Sequence, residues 1–317
     1  MADAYTTTGS VTLDQTAYDL AIRFPLRAQM FYDQLADVQP TKQSFRGATV
    51  IFNLMNEMAP AITPLSETVD VDAVAIGNAT KSVTLDEYGN SVVTSAKIRA
   101  FSMVELNPAV ANLVGFNAAI SLDTIVSNVL MTGTTVTYVG QATRGALTAA
   151  NVLTAALVRR QRKAFIRDLV MPKGGDGTLF AAFIAPEVAY DLQSETGPQG
   201  WRDPHIYSKV ENIWTGEIGA FEGFRFMETP RAPWIVNGGA GSLVDVFATL
   251  FMGQEALAKA YSSEDGNGPL PRVILGPVVD KLMRFRPVSW YWMGGYNTFR
   301  TESLRRVESA SSIGTNT

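Results

Sequence analysis

Two hydrophobic periods, one of about two residues and one of about 3.6, divide this chain into strand-like and helix-like segments. Residues 47–54 contain the strand-like run Ala-Thr-Val-Ile-Phe-Asn-Leu, and residues 81–93 return with alternation of the same kind around Gly89. About 25 residues join the two, which is long for a connection inside a compact domain. That connection carries Pro60 and Pro64 and an acidic patch at Glu67, Asp70 and Asp72, and a loop of this length is expected to lie against a partner. Residues 107–131 then hold a long helical pattern, with Asn107 as its cap and Pro108 in its first turn. Apolar positions cover much of its circumference, so a rod of roughly 35 Å is expected to serve several elements as a shared spine.

Shorter elements follow. Residues 134–145 read as a hairpin or loop, and 148–166 as a helix with Val152, Leu153, Ala156, Leu157 and Phe165 inside. Its later half gathers Arg159, Arg160, Arg162 and Lys163, with Arg167 just beyond. Cations there complement the helix dipole, but five exceed what capping needs, so a basic patch facing phosphate or an acidic neighbour is equally expected. Residues 179–194 form a strand that turns into a helix at Pro186. Residues 213–230, punctuated by Gly216, Gly219 and Gly223, read as a tight turn feeding a strand of alternating Phe224, Phe226 and Thr229. These two units suggest a compact α+β core on which the earlier segments hang. Another core strand is expected at 244–252. From Val273 the chain is strand-rich again, with Trp290, Tyr291 and Trp292 as a packed aromatic strand and Arg284, Arg286, Arg300, Arg305 and Arg306 in ion pairs. At the N-terminal end, residues 17–35 carry a helical period broken at Pro25. Residues 309–317 read as a polar tail.

Composition narrows the chemistry. The 317 residues contain no cysteine and one histidine, His205, so disulfides, thiolate metal sites, Ser-His-Asp triads and two-histidine iron sites are excluded within one chain. Net charge is −4, which argues against a nucleic-acid reader built on phosphate neutralisation. Charged residues are 18% of the chain, fewer than the usual quarter, so much of the surface is expected to be covered, most simply by copies of the same chain. Gly174-Gly-Asp-Gly-Thr178 is a turn that lacks the Gly-Lys-Ser/Thr ending of a phosphate loop. The first residues lack the basic and apolar regions of a signal peptide, and no run of about 18 uninterrupted apolar residues predicts a membrane span. No cofactor is expected.

The order of arm, long loop, long helix, α+β core and late return strand resembles the major capsid proteins of tailed bacteriophages, which share the HK97-like fold. Three stretches carry the resemblance: Asn53-Leu-Met-Asn-Glu-Met-Ala-Pro-Ala-Ile-Thr-Pro-Leu65, Phe183-Ile-Ala-Pro-Glu-Val-Ala-Tyr-Asp-Leu192, and Gly216-Glu-Ile-Gly-Ala-Phe-Glu-Gly-Phe-Arg-Phe-Met-Glu-Thr229. The resemblance implies an α+β shell subunit assembling into the hexamers and pentamers of an icosahedral head around double-stranded DNA, built in the host cytoplasm and ending in the virion. It implies an N-terminal arm at 1–45, an extended loop at 46–95, a peripheral domain with the spine helix at 96–147, an axial domain at 148–270, and return strands with a tail at 271–317. The loop residues Glu67, Asp70, Asp72 and Lys81 become candidates for contact between subunits, and Arg159, Arg160, Arg162 and Lys163 for an interior DNA-facing patch. Family members that crosslink use a loop lysine. Lys81 is the only lysine in 46–95, and non-covalent contact is the expectation here. Scaffolding and decoration proteins would be separate chains, with a portal at one vertex and no membrane.

Two other classes compete. An encapsulin-like compartment would share the fold but hold protein cargo. A soluble α+β enzyme would use paired carboxylates, but Asp86 and Glu87 are adjacent on a strand and point to opposite faces, while Asp70 and Asp72 sit on the loop.

Overall fold

The computed structural model describes residues 32–33, 36–38, 49–65, 67–68, 70–101, 106–173, 179–195, 217–262, 268–277 and 280–313. In chain order its elements are β1 (Asp37–Val38), β2 (Thr49–Met55), β3 (Asn78–Thr84), β4 (Asp86–Ser95), α1 (Ala96–Phe101), α2 (Leu106–Met131), β5 (Val136–Tyr138) and α3 (Ala155–Arg167). Then come β6 (Phe180–Ile184), α4 (Pro186–Ser194), β7 (Glu217–Phe221), β8 (Phe224–Glu228), β9 (Trp234–Ile235) and β10 (Val246–Met252). The last are β11 (Leu257–Tyr261), β12 (Arg272–Leu275), β13 (Phe285–Thr298) and β14 (Leu304–Ser309).

Alternation sorts the core into two layers. A seven-stranded sheet runs β5-β14-β10-β6-β8-β7, with β9 also on β10. β6 is buried on both faces: Phe180, Ala182 and Ile184 join one cluster with Val158, Phe165, Val188 and Leu192, which places α3 and α4 on that side. Ala181 and Phe183 point the other way, into a cluster with Val114, Leu122, Val126 and Leu130 of α2 and Trp290 and Trp292 of β13. β10 divides in the same manner, Phe251 to the first cluster and Leu250 and Met252 to the second. The second sheet has β13 as its trunk, paired with β4, β11 and β12, while β1 adds to β11 in parallel. α2 is therefore held between two sheets. It has the length and apolarity of a membrane-crossing helix, and here Val114, Ala118, Leu122, Val126 and Leu130, four residues apart, form a face buried against protein.

Several elements depart from the sequence reading, each through a contact distant in the chain. The return at 81–93 is two strands parted at Leu85, since β3 pairs with β2 and β4 with β13. Residues 136–138 form no hairpin; they pair in parallel with Arg306–Glu308. The helix expected from 148 starts at Ala155, because Val152 bridges to Ala310, and Ala156 is exposed while Ala155, Val158 and Phe165 are inside. The spine helix begins at Leu106, so Asn107 lies within it rather than capping it. Residues 309–313 are anchored instead of trailing: Ser311 Oγ donates to the Glu187 carbonyl at 3.1 Å and the Ser312 amide to Asp191 Oδ2 at 2.9 Å. The final strands do not share a sheet, as β13 belongs to one and β14 to the other. Of the 213–230 stretch, the described residues 217–228 are the hairpin β7–β8 at one end of the seven-stranded sheet, and 213–216 fall outside the described residues. Its two-residue turn has positive φ at Glu222 (49°) and Gly223 (80°), the primed geometry that matches strand twist. The helical period at 17–31, the turn at 174–178 and the aromatic stretch at 197–214 with His205 fall outside the described residues.

Candidate assembly interface

The loop and its root come first. β2 and β3 form a ladder from Thr49↔Thr84 to Met55↔Asn78, closed by the Asn56 amide donating to the Gly77 carbonyl at 3.0 Å. The ribbon is rooted by Phe52 and Val83, packed with Ala258 and Ala260, and by Asn297 Nδ2 donating to the Ser82 carbonyl at 2.6 Å. Gly295 lets it sit this close, because a Cβ there would stand 1.9 Å from the Thr84 carbonyl oxygen. Beyond the root, every described residue from 55 to 80 is exposed. Met55, Met58, Ile62, Leu65, Val71, Val74 and Ile76 are all in solvent, Ile62 at 87%. Such a row is an interaction surface in a single copy. Glu67, Asp70 and Asp72 lie on this free stretch and make no ion pair among the described residues, whereas Lys81 is half-buried in β3 opposite Phe52, away from the tip.

The cations of α3 separate into two stripes, as helical spacing requires. Arg159 and Arg162 face the β7–β8 turn, where Glu222 lies 3.5 Å from Arg159 Nε and 3.6 Å from Arg162 Nη1. Gly223 permits that approach, since a Cβ would meet Arg162 Nε at 2.9 Å. Arg160, Lys163 and Arg167 form the other stripe and line a cleft of about 430 Å³ with Thr137, Gln161 and Arg305. Arg305 bonds to Asp168 across the cleft wall and lies 5.6 Å from the Phe165 ring. Arg160, Lys163 and Arg167 are exposed and make no ion pair among the described residues. The sequence placed four cations in one patch; a helical wheel separates them, but nothing local announces Arg305, which arrives from β14.

A third surface lies at the far end of β13. Phe101 of α1 is exposed, as are Leu282, Met283 and Phe285, and α1 is fixed to this end of β13 by the Ala96 amide and Arg99 Nη2, both donating to the Arg284 carbonyl at 2.7 and 3.2 Å. No apolar residue of this patch stands out in the sequence for contact, because single apolar residues carry no sign of whether they face the core or solvent.

Buried polar groups hold these surfaces in register. Lys259, 1% exposed, donates to Asp33 Oδ1 at 2.6 Å, Tyr296 donates to the same oxygen at 2.6 Å, and the ammonium lies 5.7 Å from the Trp292 ring centre. Burial, and then the Asp33 charge, push the Tyr296 phenol far above its ordinary value. Tyr32, wholly buried, packs with its ring centre 4.6 Å from that of Phe183 at a 57° tilt, and burial and then Asp123 raise its phenol likewise. The end of the N-terminal segment is thus tied into the second core cluster. In the other sheet Glu308, fully buried, accepts from Arg144 at 2.6 and 2.7 Å and lies 2.9 Å from Arg306 Nε. That bond is the main reason the Arg144 guanidinium is held above its ordinary range. Of the remaining late arginines, Arg284 pairs with Asp280 and Arg300 with Glu255, whereas Arg286 is exposed and makes no ion pair among the described residues. Among the described residues no three metal-ligating side chains converge.

A family model described as "Phage capsid protein" matches residues 27–313. No curated protein matches the chain. Among solved structures, the capsid of Ralstonia phage GP4 superposes with a TM-score of 0.79 at 14% identity, covering 99% of this chain and 100% of that one. The Cyanophage Pam1 capsid gives 0.76 at 14% identity over 99% and 100%. The capsid of a native GTA particle gives 0.65 at 12% identity over 97% and 100%. At these identities the likeness is one of fold.

Proposed function

The chain belongs to the phage capsid protein family, and from that premise we propose how this copy builds a shell. It is a major capsid protein of HK97-like fold, a structural component of the virion rather than an enzyme. The match of residues 27–313 carries this reading. The finer assignment is our own. The protomer assembles into hexamers and pentamers of an icosahedral head, first in the host cytoplasm, around double-stranded DNA that it touches weakly and without sequence preference. Residues 1–45 act as the arm, and of the 46–95 stretch the β2–β3 ribbon with its free residues acts as the extended loop, while β4 joins the β13 sheet. α2 and the β13 sheet make the peripheral domain, and the seven-stranded sheet with α3 and α4 makes the axial domain. Scaffold, decoration and portal proteins, where used, are separate chains. The exposed apolar row on the loop and the Phe101–Met283 patch support the assembly itself, because neither is covered within one copy.

Negative-stain electron microscopy with sedimentation tests this. Closed shells or hexameric rings are expected, with nuclease-protected DNA in particles from infected cells. A compact monomer at every concentration and salt, with or without co-expressed phage assembly proteins, would remove the reading.

A further inference from the structure

The cleft beside α3 and the free loop complement each other in both charge and apolarity. Three cations that make no ion pair among the described residues, Arg160, Lys163 and Arg167, share one helical stripe, and Arg305 adds a fourth, partly neutralised by Asp168. Residues 56–77 contain Glu57, Glu67, Asp70 and Asp72 and no lysine or arginine at all. Ile166, Leu169 and Met171, close in sequence to the cleft residues Arg167 and Asp168, stand exposed at the end of α3. DNA phosphate has no use for apolar side chains, but the loop offers Ile62, Leu65, Val71 and Val74 beside its acids. Within one copy the loop touches neither, since all its described residues are in solvent. Its limbs, roughly ten residues each at about 3.3 Å per residue, reach on the order of 30 Å beyond the ribbon, enough to cross onto another molecule.

We propose that the α3 cleft is the acceptor for the acidic loop of a second copy, Arg160, Lys163 and Arg167 receiving Glu67, Asp70 and Asp72 while the apolar residues of both close over one another. This rests on the capsid reading and names the partner of the basic patch within it. The contact pairs opposite charges in the cleft and sets apolar residues of the two copies beside them. Its charges also make assembly faster at low salt than at high.

A charge-reversal cycle on the full chain tests it. The cleft variant is R160E/K163E/R167E, the loop variant E67K/D70K/D72K, and the third protein carries both. All six positions are exposed, so thermal melts of the unassembled chains should match the parent. Each reversal alone is expected to lower the yield of closed shells at least about tenfold, and the double reversal to restore it to within about threefold. Normal shells from either single reversal would overturn the docking while leaving the capsid reading intact. So would loss in both singles with no rescue in the double. If the cleft variant assembles normally but its shells protect less DNA, with an altered salt response, the cleft serves the nucleic acid and the proposal is wrong. Parent shells, seen in the same preparations, judge the capsid reading separately.

Discussion

Glu308 shows what one buried carboxylate does in this chain. It is inaccessible, flanked by two guanidiniums, and sits in β14 at the register that meets β5 and β10. Removing its charge while keeping its shape leaves Arg306 buried without a counter-charge, so Glu308→Gln should cost about 3 kcal/mol in the urea unfolding of the unassembled chain. An unchanged midpoint would mean the pair contributes nothing net. The phenols give a pH signature. Tyr32 and Tyr296 are held neutral in the fold by burial and by Asp123 and Asp33, while an unfolded chain ionises tyrosine near pH 10. The unfolded state then loses protons first, so stability is level below about pH 10. Above it, stability falls by about 1.4 kcal/mol per pH unit for each phenol. Tyr296→Phe should remove one phenol's share of that slope, read from urea midpoints between about pH 8 and 11. These residues were hard to single out by eye because a Tyr or Glu in a strand looks the same whether its partner is water or a residue 200 positions away. The α3 cations were legible as residues; their division followed from helical spacing, and Glu222 and Arg305 followed only from the fold.

Elements were legible wherever local pattern and tertiary burial agreed. α2, the β6–α4 step at Pro186, β10 and the aromatic run of β13 stand where their periodicity puts them, since each is either buried on both faces or alternates against a single layer. Misplaced boundaries share a cause. Val152, Val136 and Leu85 are apolar residues whose structure is dictated by Ala310, Arg306 and the division of labour between β2 and β13, none of them nearby in sequence. The ribbon's seat is a further case, because it depends on a missing side chain. Gly295→Ala would drive a methyl into the Thr84 carbonyl and push β3 away from β13, costing on the order of 3 kcal/mol in the same unfolding measurement. Shell yield should fall further than that cost alone explains, because the loop loses its root. A variant that melts lower yet assembles at the parent's rate would separate the ribbon's seat from assembly.

For the molecule as a whole, the parts that hold it together and the parts that reach outward are different residues. Two core clusters lie on opposite faces of the seven-stranded sheet, and the described residues from 55 to 80 belong to neither. Replacing residues 57–76 by a direct Asn56–Gly77 turn should therefore leave the melting temperature of the unassembled chain within about 2 °C of the parent, while abolishing closed shells in the electron microscope. A large fall in melting temperature would place the loop in the fold instead. The α+β class, the spine and the free loop were readable from pattern; the division of the late strands between two sheets was not, since β13 and β14 are neighbours in sequence with similar alternation. That division also bears on how the protein is made. β14 lies between β5 and β10, and β13 is the trunk for β4, β11 and β12, so residues 285–309 complete both sheets. A ribosome delivers them after nearly everything they must pair with, which keeps these sheets unfinished, with strand edges open to chaperones, until residues 285–309 have emerged. A chain broken off before residue 304 lacks an inner strand and cannot present a finished surface to its neighbours. Topology thus withholds a finished surface from any protomer whose synthesis stops short of β14.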